Sequence, residues 1–177
     1  MNFEASARAG GIAAENSTIT LVPMSDAAYA AFAGKAIPKY AEEKVASGQW
    51  SREESLALSR KSLDELLPQG KDTPGNHLFT LLDGASTTVG TLWIAEQARA
   101  GRRIAYVYDV EIEPGHRRKG YAAQAFAAVE RLAQELGLSG IALHVFGHNA
   151  AAQALYTKLG YAATSIHMFK PLTGEPG

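Results

Sequence analysis

The stretch from Val110 to Ala122, Val-Glu-Ile-Glu-Pro-Gly-His-Arg-Arg-Lys-Gly-Tyr-Ala, limits the fold of this chain more than any other. Before it, Ile104 to Ile112 is rich in β-branched and aromatic residues and reads as a strand. After it, Ala122, Ala125, Phe126, Val129, Leu132, Ala133 and Leu136 step by three and four, the apolar side of a helix stopped by Gly137. Pro114-Gly115 suits the centre of a type II turn. A strand must therefore pass into an amphipathic helix through a turn that carries three cations and a glycine. A helix start leaves about four backbone N–H groups without intrahelical partners, and these donors and the helix dipole favour an anion. Gly120 has no Cβ to block an approaching phosphate, and Ala122 is nearly as small. Arg117, Arg118 and Lys119 add charge at the rim, so a diphosphate would satisfy the whole arrangement. Composition alone allows a solvated turn equally well, because cations at a helix start oppose the dipole by about 0.3–1 kcal/mol each.

The surrounding pattern supplies context. Thr18 to Val22 reads as a strand closed by Pro23, and Ser25 stands where a helix cap belongs, with Asp26 in the first turn. Pro38 predicts a break near Ile37, so Asp26 to Ala46 reads as two short helices. Ser51 and Glu54 fit a capping box for a helix with Leu56, Leu63, Leu66 and Leu67 on one side, ending before Pro68. Leu78 to Leu82, Val89 to Ala95 and Ile104 to Ile112 predict an antiparallel meander. Ile141 to Phe146 reads as a strand. Asn149 caps a helix with Ala152, Leu155 and Leu159 inward, and Tyr161 to Phe169 closes as a strand. The chain of 177 residues suits one domain, placed at 17–172, with tails at 1–16 and 173–177.

Composition excludes several classes of function. Lys plus Arg is 17 against 18 for Asp plus Glu, so no global basic field draws nucleic acid or anionic lipid. With no cysteine there is no disulfide, thiolate metal site or cysteine nucleophile. The five histidines are dispersed without ligand spacing, and no metal is expected. No apolar run approaches the roughly 20 residues that span a bilayer, and the start of the chain lacks the pattern of a signal peptide. The expectation is a cytoplasmic protein with no nucleic-acid or membrane partner. A homodimer stays open.

The spacing Arg117-x-x-Gly120-x-Ala122, after a strand ending Val110-x-Ile112, resembles the acetyl-CoA signature of the GCN5-related N-acetyltransferases, with Ala122 in place of the commoner Gly. Further on, Asn149-Ala150-Ala151-Ala152-Gln153-Ala154-Leu155-Tyr156-Thr157-Lys158-Leu159-Gly160-Tyr161 resembles the family's second motif. The likeness covers about Val89 to Phe169. It implies an α/β (α+β) fold: a mixed, strongly twisted sheet of about six or seven strands, flanked by helices, with its central strands splayed. It implies acetyl-CoA as co-substrate and an amine acceptor, small molecule or peptide. Residues 17–75 would then lie on the acceptor side and 76–172 would form the acetyl-CoA-binding core. By the same resemblance, Arg117, Arg118, Lys119, Gly120, Tyr121 and Ala122 bind the pyrophosphate, mainly through main-chain amides. Val110 and Ile112 bond the pantetheine as an added strand would. Asn149 contacts the cofactor arm, with Ala152 and Tyr156 beside it.

Tyr156 lies about 100° around the helix from Leu155, at the border of the apolar stripe. Taken alone it is a packing tyrosine at the core edge. The resemblance turns it towards the coenzyme's sulfur. There a phenol of pKa about 10 can protonate a leaving thiolate of pKa about 8.5. The attacking alkylammonium, with a pKa of about 10.4, must first lose a proton. Asp109 and Glu111 are candidates for that task or for positioning water. Strand alternation puts them opposite the face shared by Tyr106, Tyr108, Val110 and Ile112. The acceptor wall is expected among Tyr29, Phe32, Tyr40, Glu42, Glu43 and Trp50. Direct transfer in a ternary complex is the expected mechanism. A non-catalytic acyl-CoA-binding sensor or interaction module is the rival. A nucleotide-binding α/β domain is disfavoured, since neither a Walker-type Gly-Lys-Ser/Thr nor a GxGxxG unit is present.

Overall fold

A computed structural model describes residues 19–170 and residue 172. The tails expected at 1–16 and 173–177 lie outside the described residues. The expected three-strand meander is β2 (Asn76–Leu82), β3 (Thr88–Arg99) and β4 (Arg102–Ile112), and β1 (Thr20–Pro23) extends it by a fourth strand. Each pairs antiparallel with the next, and β5 (Ile141–Leu143) joins β4 in parallel. That reversal of direction requires a crossover, which α3 (Tyr121–Glu135) supplies.

The helices cover both faces. Between β1 and β2, α1 (Asp26–Ala46) and α2 (Ser55–Leu66) bury Phe32, Ile37 and Leu63 against Leu78 and Trp93. On the other face α3 buries Phe126, Val129 and Ala133 against Leu81, Leu92, Ile94 and Val107. Tyr156 and Leu159, at the end of α4 (Ala150–Lys158), pack on that second core.

Four expectations change. First, α1 is one continuous helix of 21 residues with Pro38 inside it. Proline there frees the carbonyl of Gly34, and both residues are exposed, so the freed carbonyl is not buried without a partner. Ser25 caps the helix as expected, its Oγ accepting from Ala28 N–H at 3.2 Å. Second, the buried side of α2 is Ser55, Ser59 and Leu63, while Leu56 is 57% exposed. Ser59 can sit inside because its Oγ donates to the Ile37 carbonyl at 2.7 Å, which locks α2 to α1 without an orphaned hydroxyl.

Third, the described residues hold five strands, not six or seven. β5 ends at Leu143, and Tyr161 to Phe169 forms no ladder despite its apolar alternation. Ile166 and Met168 stay 76% and 86% exposed, so no buried face rewards an extended pairing there. Fourth, the simple alternation of β4 breaks. Trp93 faces Asp109 while Ile94 faces Val107, so Tyr108 is an extra residue. Beyond it every side chain changes face. Tyr106, Tyr108, Asp109 and Glu111 therefore share the α1 side, and Val110 and Ile112 join Val107 in the α3-side core. The expected opposition of the carboxylates to the tyrosines is thus corrected.

β4 leaves no room for a side chain at Gly90 of β3, where an added Cβ would lie 2.1 Å from the Glu111 carbonyl oxygen. Gly90→Ala is expected to destabilise the protein by about 1–3 kcal/mol, because two hydrogen-bonded backbones cannot both give way. Gly34→Ala, on the open side of α1 with nothing within 4 Å, is expected to gain about 0.5–1 kcal/mol. Urea midpoints of the two variants against the parent check both signs.

Candidate active site

The turn between β4 and α3 opens the helix as the sequence suggests, by a different route. Pro114–His116 is a 3-10 turn, and Gly115 does not take the positive φ that a type II turn demands. The chain reverses instead at Arg118, with φ 65°, and Gly120, with φ 83°. The first helical bond of α3 runs from Gln124 N–H to the Gly120 carbonyl at 3.1 Å. The amides of Tyr121, Ala122 and Ala123 consequently have no acceptor within the helix. No side chain caps them, since the residue at the cap is Gly120 itself. Gly120 is exposed, and a Cβ added to it would meet only Gln124 Nε2, at 4.0 Å. The result is a row of main-chain donors facing open space, with the positive end of a 15-residue helix behind it.

The three cations divide their roles. Arg118 and Lys119 are exposed. Arg117 is engaged: its Nε donates to the Ile112 carbonyl at 2.9 Å and its guanidinium lies 3.7 Å from Glu111. It ties the loop back to β4. Tyr121 anchors the other end, its hydroxyl 3.4 Å from the Asp83 carboxylate.

β4 and β5 then part. Their ladder holds only Ala105 with Ile141, Tyr106 with Ala142 and Val107 with Leu143. Past Val107 the β5 side of β4 is unpaired among the described residues, as the splay expected from the sequence requires. Glu113 N–H donates to the Val89 carbonyl at 2.9 Å. By the two-residue alternation of an antiparallel ladder, Asp109 and Glu111 also turn their main-chain groups to β3, and Val110 and Ile112 turn theirs to the open side. A cavity of about 420 Å³ fills the parting, lined by β4, by Leu143 to Phe146, by Asn149 and Tyr156, and by α1 and α2.

At α4, Asn149 Oδ1 accepts from Ala152 N–H at 3.1 Å, the cap expected of it. The cap fixes the start of α4 beside the cleft and holds Ala152 half-buried. Tyr156 stands with its ring 5.3 Å from Phe126 and 5.8 Å from Tyr161, and it lines the cleft. Burial raises its pKa, the Asp109 charge adds to the rise, and Lys39 opposes it. Tyr156 thus keeps its proton through neutral pH. Tyr161 behind it is pushed up to about 12 by burial, then by Glu130 and Tyr156.

The acids on β4 are paired. Lys39 Nζ lies 2.8 Å from Asp109 Oδ1 and 3.1 Å from Glu111 Oε2. Burial alone would lower the lysine's pKa, but the two carboxylates outweigh it and hold the ammonium charged. Burial raises the pKa of Asp109 despite Lys39. Glu43, half-buried in the cleft wall, makes no ion pair among the described residues; burial raises its pKa, with Lys39 opposing and Asp109 adding. His144 also lines the cleft, its pKa lowered by burial and by Lys44. Of the expected acceptor wall, Phe32, Tyr40 and Glu43 line the cleft, Trp50 packs on Tyr40 at 5.4 Å, and Glu42 is exposed. Tyr29 packs at the edge of the α1 core.

Sequence reading missed Lys39 and Lys44. A signal existed for the first. Lys35 and Lys39 stand four apart, on one helix side, and Asp109, Glu111 and Glu113 stand two apart, on one strand side. Lys35 meets Glu113 at 2.8 Å in the same ladder of charges. The bulge hid which side of β4 the acids take.

Comparison with known proteins agrees with this geometry. Residues 43–161 match the model of the acetyltransferase (GNAT) family. The chain is 37% identical over 155 residues to YycN, described as an uncharacterized N-acetyltransferase of Bacillus subtilis (strain 168), with 88% of this chain and 99% of that protein covered. It is 31% identical to YdgE of the same organism, described in the same words, over 86% of this chain and 98% of that one. The crystal structure of YycN superposes with a TM-score of 0.84 over 89% of this chain and 100% of that chain. An open helix start after β4, a parting of β4 from β5 and a tyrosine at their junction thus accompany a family match over most of the chain: it belongs to the GNAT acetyltransferase family.

Proposed function

We propose that the protein transfers an acetyl group from acetyl-CoA to a primary amine by direct attack in a ternary complex. The observation that carries this reading is the open row of amides at Tyr121, Ala122 and Ala123 beside the parted strands. It matches a diphosphate joined to an extended arm. The residues fit the co-substrate along its length. The amides after Gly120 would hold the pyrophosphate, with Arg118 and Lys119 neutralising its charge. Val110 and Ile112 offer main-chain groups to the pantetheine, although Arg117 already takes the Ile112 carbonyl. Asn149 and Ala152 flank the arm at the start of α4.

Bound acetyl-CoA supplies a thioester carbon for the amine to attack. Tyr156, protonated and half-buried, is suited to donate its proton to the departing sulfur. Asp109 and Glu111, paired with Lys39 between them, are suited to positioning the amine or a water rather than to standing as free bases. Helices α1 and α2 wall the cleft and narrow the access of bulk water to the reacting atoms.

Aspartate and asparagine tolerate positive φ better than other side chains, so they separate charge from strain at position 120. Gly120→Asp should abolish coenzyme A binding in calorimetry with folding intact, and Gly120→Asn should weaken it less. Equal affinity in the aspartate variant would refute the pyrophosphate assignment. Tyr156→Phe should lower kcat about a hundredfold while leaving coenzyme A affinity within about threefold; unchanged turnover removes Tyr156 from the mechanism. Rapid mixing without acceptor should release no burst of free coenzyme A. A burst of one equivalent would replace direct transfer by an acyl-enzyme.

A further inference from the structure

The charges and rings of the cleft narrow the choice of acceptor. Resting on the transfer reading above, we propose that the acceptor carries one primary ammonium on an aromatic or apolar frame, that Glu43 receives this ammonium, and that Lys44 excludes polycations.

Four charged side chains line the cleft: Lys39, Glu43, Lys44 and Asp109. Asp109 is tied to Lys39 at 2.8 Å, which leaves Glu43 as the carboxylate in the wall without an ion pair among the described residues. A half-buried carboxylate lacking a partner favours one incoming cation. Lys44 has no carboxylate either. Its Nζ bonds Gln49 Oε1 at 2.7 Å and lies 5.3, 5.6 and 5.9 Å from the ring centroids of Tyr40, Trp50 and Phe146. Two of these rings come from α1 and the turn after it, and the third from the segment after β5. The caged ammonium therefore bridges the two walls of the cleft, where any second positive charge on the acceptor would meet it.

Between these charges stand aromatic rings of β3 and β4. Trp93 stacks on Tyr108 at 4.4 Å, and Tyr106 meets Tyr108 edge-on at 4.8 Å. Such rings favour a planar or aliphatic frame over a hydroxylated one. The balance of the reaction is simple. The ammonium gives up two protons, nitrogen bonds the acetyl carbon as the carbon–sulfur bond breaks, and one proton ends on the thiol and the other in solvent. Glu43 holds the ammonium until the first proton leaves.

Initial rates with 2-phenylethylamine, spermidine and kanamycin, read as free thiol at fixed acetyl-CoA, test this. The kcat/KM for 2-phenylethylamine should exceed the other two by about tenfold or more. Glu43→Gln should raise its KM by about tenfold with coenzyme A affinity unchanged in calorimetry, and Lys44→Gln should raise relative activity on spermidine several-fold. Spermidine or kanamycin used as well as 2-phenylethylamine by the unmodified protein overturns the proposal. So does failure to acetylate any of the three while coenzyme A still binds. Failure to bind coenzyme A at all brings down the transfer reading itself, and this proposal with it.

Discussion

One extra residue in β4 decides how the two halves of the cleft are furnished. Tyr108 interrupts the pairing between Trp93 with Asp109 and Ile94 with Val107. A bulge costs a ladder bond and turns the strand, and here it changes the face of everything that follows. Asp109 and Glu111 come to lie against α1, where Lys39 can reach both. Val110 and Ile112 turn their side chains into the α3-side core and leave their main-chain groups towards the open side. Were β4 to alternate regularly through Tyr108, the acids would be forced into an apolar core, a placement that burial would penalise heavily.

The parting of β4 from β5 follows from the same geometry. β5 pairs with three residues only, up to Val107, and the bulge begins one residue later. A twisted strand that turns away after Val107 cannot keep a parallel partner in register. The resulting opening would be an exposed sheet edge in an ordinary protein. Here helices α1 and α2 close over it, locked together by the buried Ser59–Ile37 bond, so the edge becomes a cleft.

Electrostatics within the cleft reflect how far each group is removed from water. Lys39 stays charged because two carboxylates overcome the cost of its burial. Glu43 has no such partner, and its pKa rises. Tyr156 and Tyr161 are held protonated by the same removal from solvent, with Phe126 packed against both. At the other end the amides after Gly120 have no acceptor within the helix, and Gly120 beside them is exposed. A single crossover, β4 to α3 to β5, thus carries both the uncapped start of a helix and the wall of the cleft.

The local signals were legible in the chain itself. The cap at Ser25, the step of three and four along α3, the glycine at the start of that helix and the asparagine at the start of α4 each rest on neighbours within a few residues, so no knowledge of distant parts is needed to read them. The two motifs that carry the family resemblance are of this kind. What the sequence could not determine were features set by contacts far apart in the chain. Pro38 predicts a break, yet with Phe32, Ile37 and Ala41 buried on one side α1 runs on as a single helix. Tyr161 to Phe169 has the composition of a strand and finds no ladder. The bulge at Tyr108 has no local mark, because it arises from the register of β4 against β3, and the pairing of Lys39 with Asp109 joins residues 70 positions apart. Side-chain facing in a strand depends on a count taken from a partner strand, and only the tertiary structure makes that count.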